Sequence, residues 1–198
     1  RAGSNLDDHR NVIDYWTIAT AGNASDFGDI AGDYVTHAGV SNGTRAVFGG
    51  GMDPDGDNTI EYVTIDSTGN ATDFGDLTVA RGELGSACSS TRGIWLGGRT
   101  NSPSPATVLN EIDYVTIAST GNATDFGNLT VARRGAGPIS SGSNSIRGYA
   151  AGGLAPGVSN VIDYVTIATT GDAADFGDIT TASNGSMGFT DSHGGLQG

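Results

Sequence analysis

The sequence predicts an all-β chain of four repeats, each about fifty residues long and each contributing four short antiparallel strands. Three observations predict it. First, 33 glycines among 198 residues, with 36% hydrophobic content, favour short strands and tight turns over long helices. Second, one phrase occurs four times: NVIDYWTIATAGNASDFGDI (11–30), NTIEYVTIDSTGNATDFGDL (58–77), NEIDYVTIASTGNATDFGNL (110–129) and NVIDYVTIATTGDAADFGDI (160–179), with starts 47, 52 and 50 residues apart. Third, a different phrase lies between these blocks, TRAVFGGG (44–51), TRGIWLGGR (91–99) and IRGYAAGG (146–153): an arginine, a short apolar run and a Gly-Gly stop.

The third copy serves to justify each element in order. Alternation puts Ile112, Tyr114 and Thr116 on one face of the first strand and Asp113, Val115 and Ile117 on the other. Both faces carry apolar groups, so this strand needs cover on both sides. Ser119-Thr120-Gly121-Asn122 reads as a turn, because Gly and Asn accept positive φ and Asn bonds its local backbone. The segment from Ala123 to Thr130 reads as a second strand returning beside the first, with Phe126 its one large anchor. A third strand is expected over 135–141, and IRGYAAGG supplies a fourth. Four short strands per fifty residues is the arithmetic of a β-propeller blade.

The Gly-Gly stop once per unit resembles the kelch-type β-propeller repeat. The longer phrase, N-x-I-[DE]-Y-x-T-I followed by D-F-G, A-R and R-G-x-x-x-G-G, resembles the kelch-like repeats of virion structural proteins in marine cyanobacterial phages. The likeness covers nearly the whole chain. It departs from the kelch pattern in lacking the spaced Tyr and Trp after the double glycine; Trp16 and Trp95 fall inside strands instead. The resemblance implies a four-bladed propeller-like domain over 1–198, a place on a virus particle as an appendage, fibre or decoration, and no catalytic residues.

The expected array is one strand short of four complete blades. Arg1 matches Arg99 of GGRTN, and the sequence reaches SHGGLQG before an Arg-Gly strand of the fourth unit. Fifteen strands with an open edge, a longer array, or a strand donated by a neighbouring subunit would each account for it. We expect a compact four-bladed unit within a larger assembly.

Charge narrows the partners. Nine Lys+Arg against 22 Asp+Glu give −13, and all nine cations are arginine. Phosphate binding needs a basic footprint, so nucleic acid is not an expected partner. No run of about eighteen apolar residues occurs, so no membrane insertion is expected. A lone Cys88 excludes an internal disulfide. Within the repeat, an acid recurs in the first strand (Asp14, Glu61, Asp113, Asp163) and an arginine in the Gly-Gly strand (Arg45, Arg92, Arg147). We expect these to pair, since a half-buried carboxylate without a partner costs several kcal/mol; solvated edge residues are the plainer alternative.

Other motifs reduce to turn chemistry or remain candidates. Asp-Phe-Gly occurs four times, but a kinase needs it once, with a glycine-rich loop and a strand lysine. No lysine exists here. Each of these aspartates is expected to accept a local backbone N–H. In DPDGDN, Asp53, Asp55 and Asp57 alternate around a glycine as calcium ligands do, although the EF-hand glutamate would fall on Thr64, inside a strand. An acidic turn is the favoured reading, with calcium the single candidate cofactor. His9, His37 and His193 are far apart and show no zinc spacing. No phosphate loop, dinucleotide fingerprint or nucleophile elbow appears, so no enzyme is expected.

Asn-x-Ser/Thr occurs at Asn23, Asn42, Asn70, Asn122, Asn128 and Asn184; three of these are one turn copied by the repeat. The insertions 99–109 and 152–159 are the places where recognition would sit on a rigid scaffold. Two functional classes follow: a non-enzymatic virion building block that contacts other virion proteins, copies of itself or a host-surface glycan, or an extracellular, lectin-like glycan binder.

Overall fold

The computed structural model describes residues 11–102, 104–135 and 139–184, all in strands, turns or irregular backbone and none in a helix. Strands β1 (Val12–Tyr15) and β2 (Ser25–Asp29) form a first, two-stranded sheet. The chain continues through β3 (Ala38–Ser41), β4 (Arg45–Gly49), a small hairpin of β5 (Met52–Asp53) and β6 (Asp55–Gly56), then β7 (Thr59–Thr64) and β8 (Thr72–Asp76). Strands β3-β4-β7-β8 make the second sheet, in that order. The third sheet is β9 (Gly85–Cys88), β10 (Arg92–Arg99), β11 (Val108–Thr116) and β12 (Thr124–Asn128). The fourth contains β13 (Ser140–Ser143) and β14 (Arg147–Ala151), a small hairpin β15 (Leu154–Ala155) and β16 (Gly157–Val158) outside its ladder, then β17 (Val161–Thr166) and β18 (Ala174–Asp178). All pairings are antiparallel, and among the described residues the sheets do not close into a ring.

The sheet frame differs from the repeat frame. Each four-stranded sheet joins the last two strands of one copy to the first two of the next; β14 of the third copy, for instance, pairs with β17 of the fourth. Reading four strands out of one copy therefore placed the boundary wrongly, because consecutive phrases are divided by a crossover after the Asp-Phe-Gly strand rather than after Gly-Gly. The third strand expected over 135–141 is found at Ser140–Ser143, with 136–138 outside the described residues. The expected fifteenth strand, third in the fourth copy, falls in 185–198 and also lies outside them. The two small hairpins were not foreseen.

The Asp-Phe-Gly phrase is a β-bulge. Ile112 pairs with Gly127 while Asp113 pairs with Asp125, leaving Phe126 as the extra residue, and the same shift recurs in the other three copies. Asp125 Oδ1 accepts the Gly127 N–H at 3.0 Å and Asp175 Oδ1 that of Gly177 at 2.9 Å, so two of the four copies show the local bond that the turn reading expected of each. Each bulged Phe meets the Tyr of the facing strand edge-on, with ring centroids 5.8 to 5.9 Å apart.

Apolar clusters lie between successive sheets. Val47, Ile60, Phe74 and Leu77 of the second sheet and its crossover pack against Trp95, Val115 and Ile117 of the third. On the opposite face Ile94, Ile112, Phe126 and Leu129 pack against Ala150, Val165 and Ile167 of the fourth. Ile112 and Val115 thus leave one strand in opposite directions into two clusters, as the doubly apolar pattern of β11 required.

Candidate functional site

The chemistry that the repeat copies is concentrated where one sheet meets the next. The turn between the first two strands of the second, third and fourth copies bonds to the free edge of the preceding Asp-Phe-Gly strand. Gly69, Gly121 and Gly171 donate their N–H to Phe27, Phe74 and Phe126 O, each at 2.7 Å. Two residues on, Ala71, Ala123 and Ala173 donate to Asp29, Asp76 and Asn128 O at 2.7, 2.7 and 2.8 Å. The residue between closes each clasp, since Asn70, Asn122 and Asp172 Oδ1 accept the N–H of Asp29, Asp76 and Asn128. Such close approach requires glycine: a Cβ on Gly75, at φ +144°, would stand 2.5 Å from the Gly121 carbonyl carbon.

Arginine fastens the same interfaces in two ways. Arg81 and Arg133, in the crossovers after β8 and β12, are fully buried and pair with Asp113 and Asp163 of the next sheet, Arg81 at 3.0 Å. Burial pulls both guanidinium pKa values below the ordinary range, against the opposing pull of each aspartate. Thr78 and Thr130 complete the carboxylates, each donating through N–H and hydroxyl. Arg45, Arg92 and Arg147 instead stand 4.4 to 4.7 Å over the rings of Tyr62, Tyr114 and Tyr164. Arg45 and Arg92 also donate to Ile117 and Ile167 O of the following sheet, at 3.2 and 3.1 Å.

The expected pairing of Arg45, Arg92 and Arg147 with the first-strand acids is therefore corrected. In register, Glu61, Asp113 and Asp163 face Phe48, Trp95 and Ala150, three residues along the strand from those arginines. Three residues are about 10 Å and an odd number, which turns the two side chains to opposite faces. Sequence reasoning passed over Arg81 and Arg133, although a signal existed: where the first copy has Tyr34 in place of this arginine, the matching acid is Glu61 rather than Asp. The longer Glu61 side chain accepts the Ala31 N–H directly, at 3.0 and 3.1 Å to its two oxygens. Asp14 of the first sheet is exposed.

The three loop aspartates are not gathered for an ion. Asp53 and Asp55 face each other across the β5–β6 hairpin, and Asp57 Oδ1 caps the Thr59 N–H at 2.6 Å. Among the described residues no three His, Cys, Asp or Glu side chains converge to hold a metal. His37 lies against Phe48 and its pKa is lowered by burial; His9 and His193 fall outside the described residues.

Two further features lie outside the repeat phrase. Glu83 is held between Arg99 at 2.9 Å and Arg134 at 2.6 Å, where three crossovers stack through Glu83 N–H to Thr36 O and Gly135 N–H to Glu83 O. A cavity of about 320 Å³ opens between the first hairpin and the second sheet, lined in part by Asn11, Asp14, Tyr15, Phe27, His37 and Phe48. It lies beside β1, which among the described residues has no counterpart of the strands β4, β10 and β14 that flank β7, β11 and β17.

Comparison with known protein families finds no match for this chain, and comparison with curated proteins finds none either.

Proposed function

We propose that this chain is a non-enzymatic structural or adhesion component of a virus particle, its sheets acting as the blades of a propeller-like array. One observation carries the reading. The residues that the repeat copies, the Asp-Phe-Gly bulge, the turn glycine, the strand tyrosine and the arginines, are engaged within and between sheets, as in an array whose task is stiffness. The long repeated phrase and its likeness to phage virion proteins are what support that location. Partners are then other virion proteins, copies of the chain, or a host-surface glycan. Immunogold microscopy of purified particles from the virus that encodes the chain tests the reading: label on an appendage or the particle surface supports it, and particles free of the chain refute it.

A second reading, an extracellular glycan binder, is favoured by the cavity beside β1, which brings the rings of Tyr15, Phe27 and Phe48, a carboxylate and an amide to a single opening. A glycan array with the wild type beside Tyr15→Ala separates the two: selective binding lost in the variant supports the second.

A further inference from the structure

The two ends of the array carry opposite halves of the contact that joins its sheets. Three times inside the chain a Phe carbonyl accepts from a turn glycine, an apolar side chain is covered, and twice a strand arginine reaches an isoleucine carbonyl. At the far end Phe176 is 62% exposed, whereas its counterparts Phe27, Phe74 and Phe126 are 2 to 8% exposed. Arg147 lies over Tyr164 and, among the described residues, makes none of the isoleucine-carbonyl bonds made by Arg45 and Arg92. At the near end Ile18 is 94% exposed, whereas its counterpart Ile65 is 39% exposed and Ile117 and Ile167 are completely buried against the preceding sheet. Ala24, the counterpart of the half-buried Ala71, Ala123 and Ala173 in the clasping turns, is exposed too.

We infer that the near end of one copy docks on the far end of another, repeating the internal contact between chains. The pairs are then Gly22 N–H to Phe176 O, Ala24 N–H to Asp178 O, Asn23 Oδ1 to the Asp178 N–H, and Arg147 to Ile18 O, with Ile18 covering the face that Phe176 presents. A second copy is the occupant because one chain carries both halves and, among the described residues, neither half is bonded to the other. A contact between unlike faces repeats from copy to copy, so it builds a ring or a filament rather than a closed dimer. With −13 on each copy, association strengthens as salt screens the repulsion. This goes beyond the proposed function and holds with or without a virus particle.

The test mixes two variants on a Cys88→Ala background, one carrying Asn23→Cys and the other Asp178→Cys. Oxidation is expected to give the mixed disulfide dimer well above either self-dimer. No mixed dimer, or a double variant that cyclises within one chain, would overturn the inference. Light scattering over a dilution series supplies the second arm. Wild type is expected to exceed the 19.9 kDa of one copy, increasingly so with salt. Ile18→Asp, at a side chain already in solvent, should hold the monomer mass with an unchanged melting temperature. A wild type that stays monomeric at every concentration, or an Ile18→Asp variant that assembles equally well, would reject it.

Discussion

Arg81 and Asp113 meet at 3.0 Å with neither side chain more than 1% exposed, joining the crossover after β8 to the middle of β11 in the next sheet. Two charges so placed are held by each other and by Thr78, and removing one leaves the other in an apolar interface. We expect Arg81→Met to lower stability by about 3–5 kcal/mol. Arg92→Met, which removes a half-buried cation over Tyr114 and one bond to Ile167 O, should cost only about 1–2 kcal/mol. Urea unfolding of both variants checks the ranking; equal losses would contradict the assignment of Asp113 to Arg81.

Glu61 gives the interface a pH dependence of unusual sign. Its carboxyl pKa is raised above the ordinary 4.5, first by burial, with the Ala31 N–H pulling the other way. The folded state then holds this proton more tightly than the unfolded state, so Glu61 favours folding at low pH and that contribution is lost as pH climbs through 4.5 to the folded value. Glu61→Gln keeps an acceptor for Ala31 without the charge. Between pH 4 and 7 the variant should gain stability relative to wild type and then level off, as read from urea midpoints at each pH. A difference independent of pH would show that the carboxyl does not titrate abnormally.

Much of this was legible in the sequence because the repeat states it four times. The alternation around Ile112 and Val115 gave the strand and its two buried faces; the turn expected over 119–122 instead closes earlier, Ser119 N–H bonding Thr116 O, and Asn122 bonds the preceding sheet rather than its local backbone. The sheet boundaries were not legible, since strand alternation fixes which residues form a strand but not whether β14 pairs with β17 or with an earlier strand. The partner of Asp113 was missed for a related reason. Arg92 lies in a strand next to that of Asp113, whereas Arg81 lies in a crossover whose path depends on how sheets stack. Only the joint change to Tyr34 and Glu61 in the first copy hinted at it.

The glycine contact between sheets should be the least tolerant feature of the chain. A methyl group on Gly75 would lie 2.5 Å from Gly121 C and 2.6 Å from its O, at a φ of +144° that L residues rarely adopt. Backbone cannot yield there without separating the second and third sheets. Gly75→Ala should therefore cost on the order of 3 kcal/mol or more. Gly157→Ala, in the small β15–β16 hairpin with nothing near its Cβ position, should change stability by less than about 0.5 kcal/mol. Thermal melts of the two variants make the comparison, and a mild Gly75→Ala would mean that the clasp contributes little.

The two tryptophans report separately on the core and on the near end. Trp95 is completely buried in the cluster between the second and third sheets, and its Nε1 donates to Ala38 O at 3.0 Å. Trp16, just past β1, is 61% exposed. Acrylamide should quench Trp16 and leave Trp95 nearly untouched. Trp95→Phe should remove the blue component of the emission and keep the red one, while Trp16→Phe does the reverse. Trp95→Phe also leaves the Ala38 carbonyl without its indole donor and opens space in a close-packed cluster, so about 2–4 kcal/mol of stability should be lost with it. Trp16→Phe should leave the melting temperature unchanged. Equal quenching of both indoles in the native protein would mean that the second and third sheets do not pack as described.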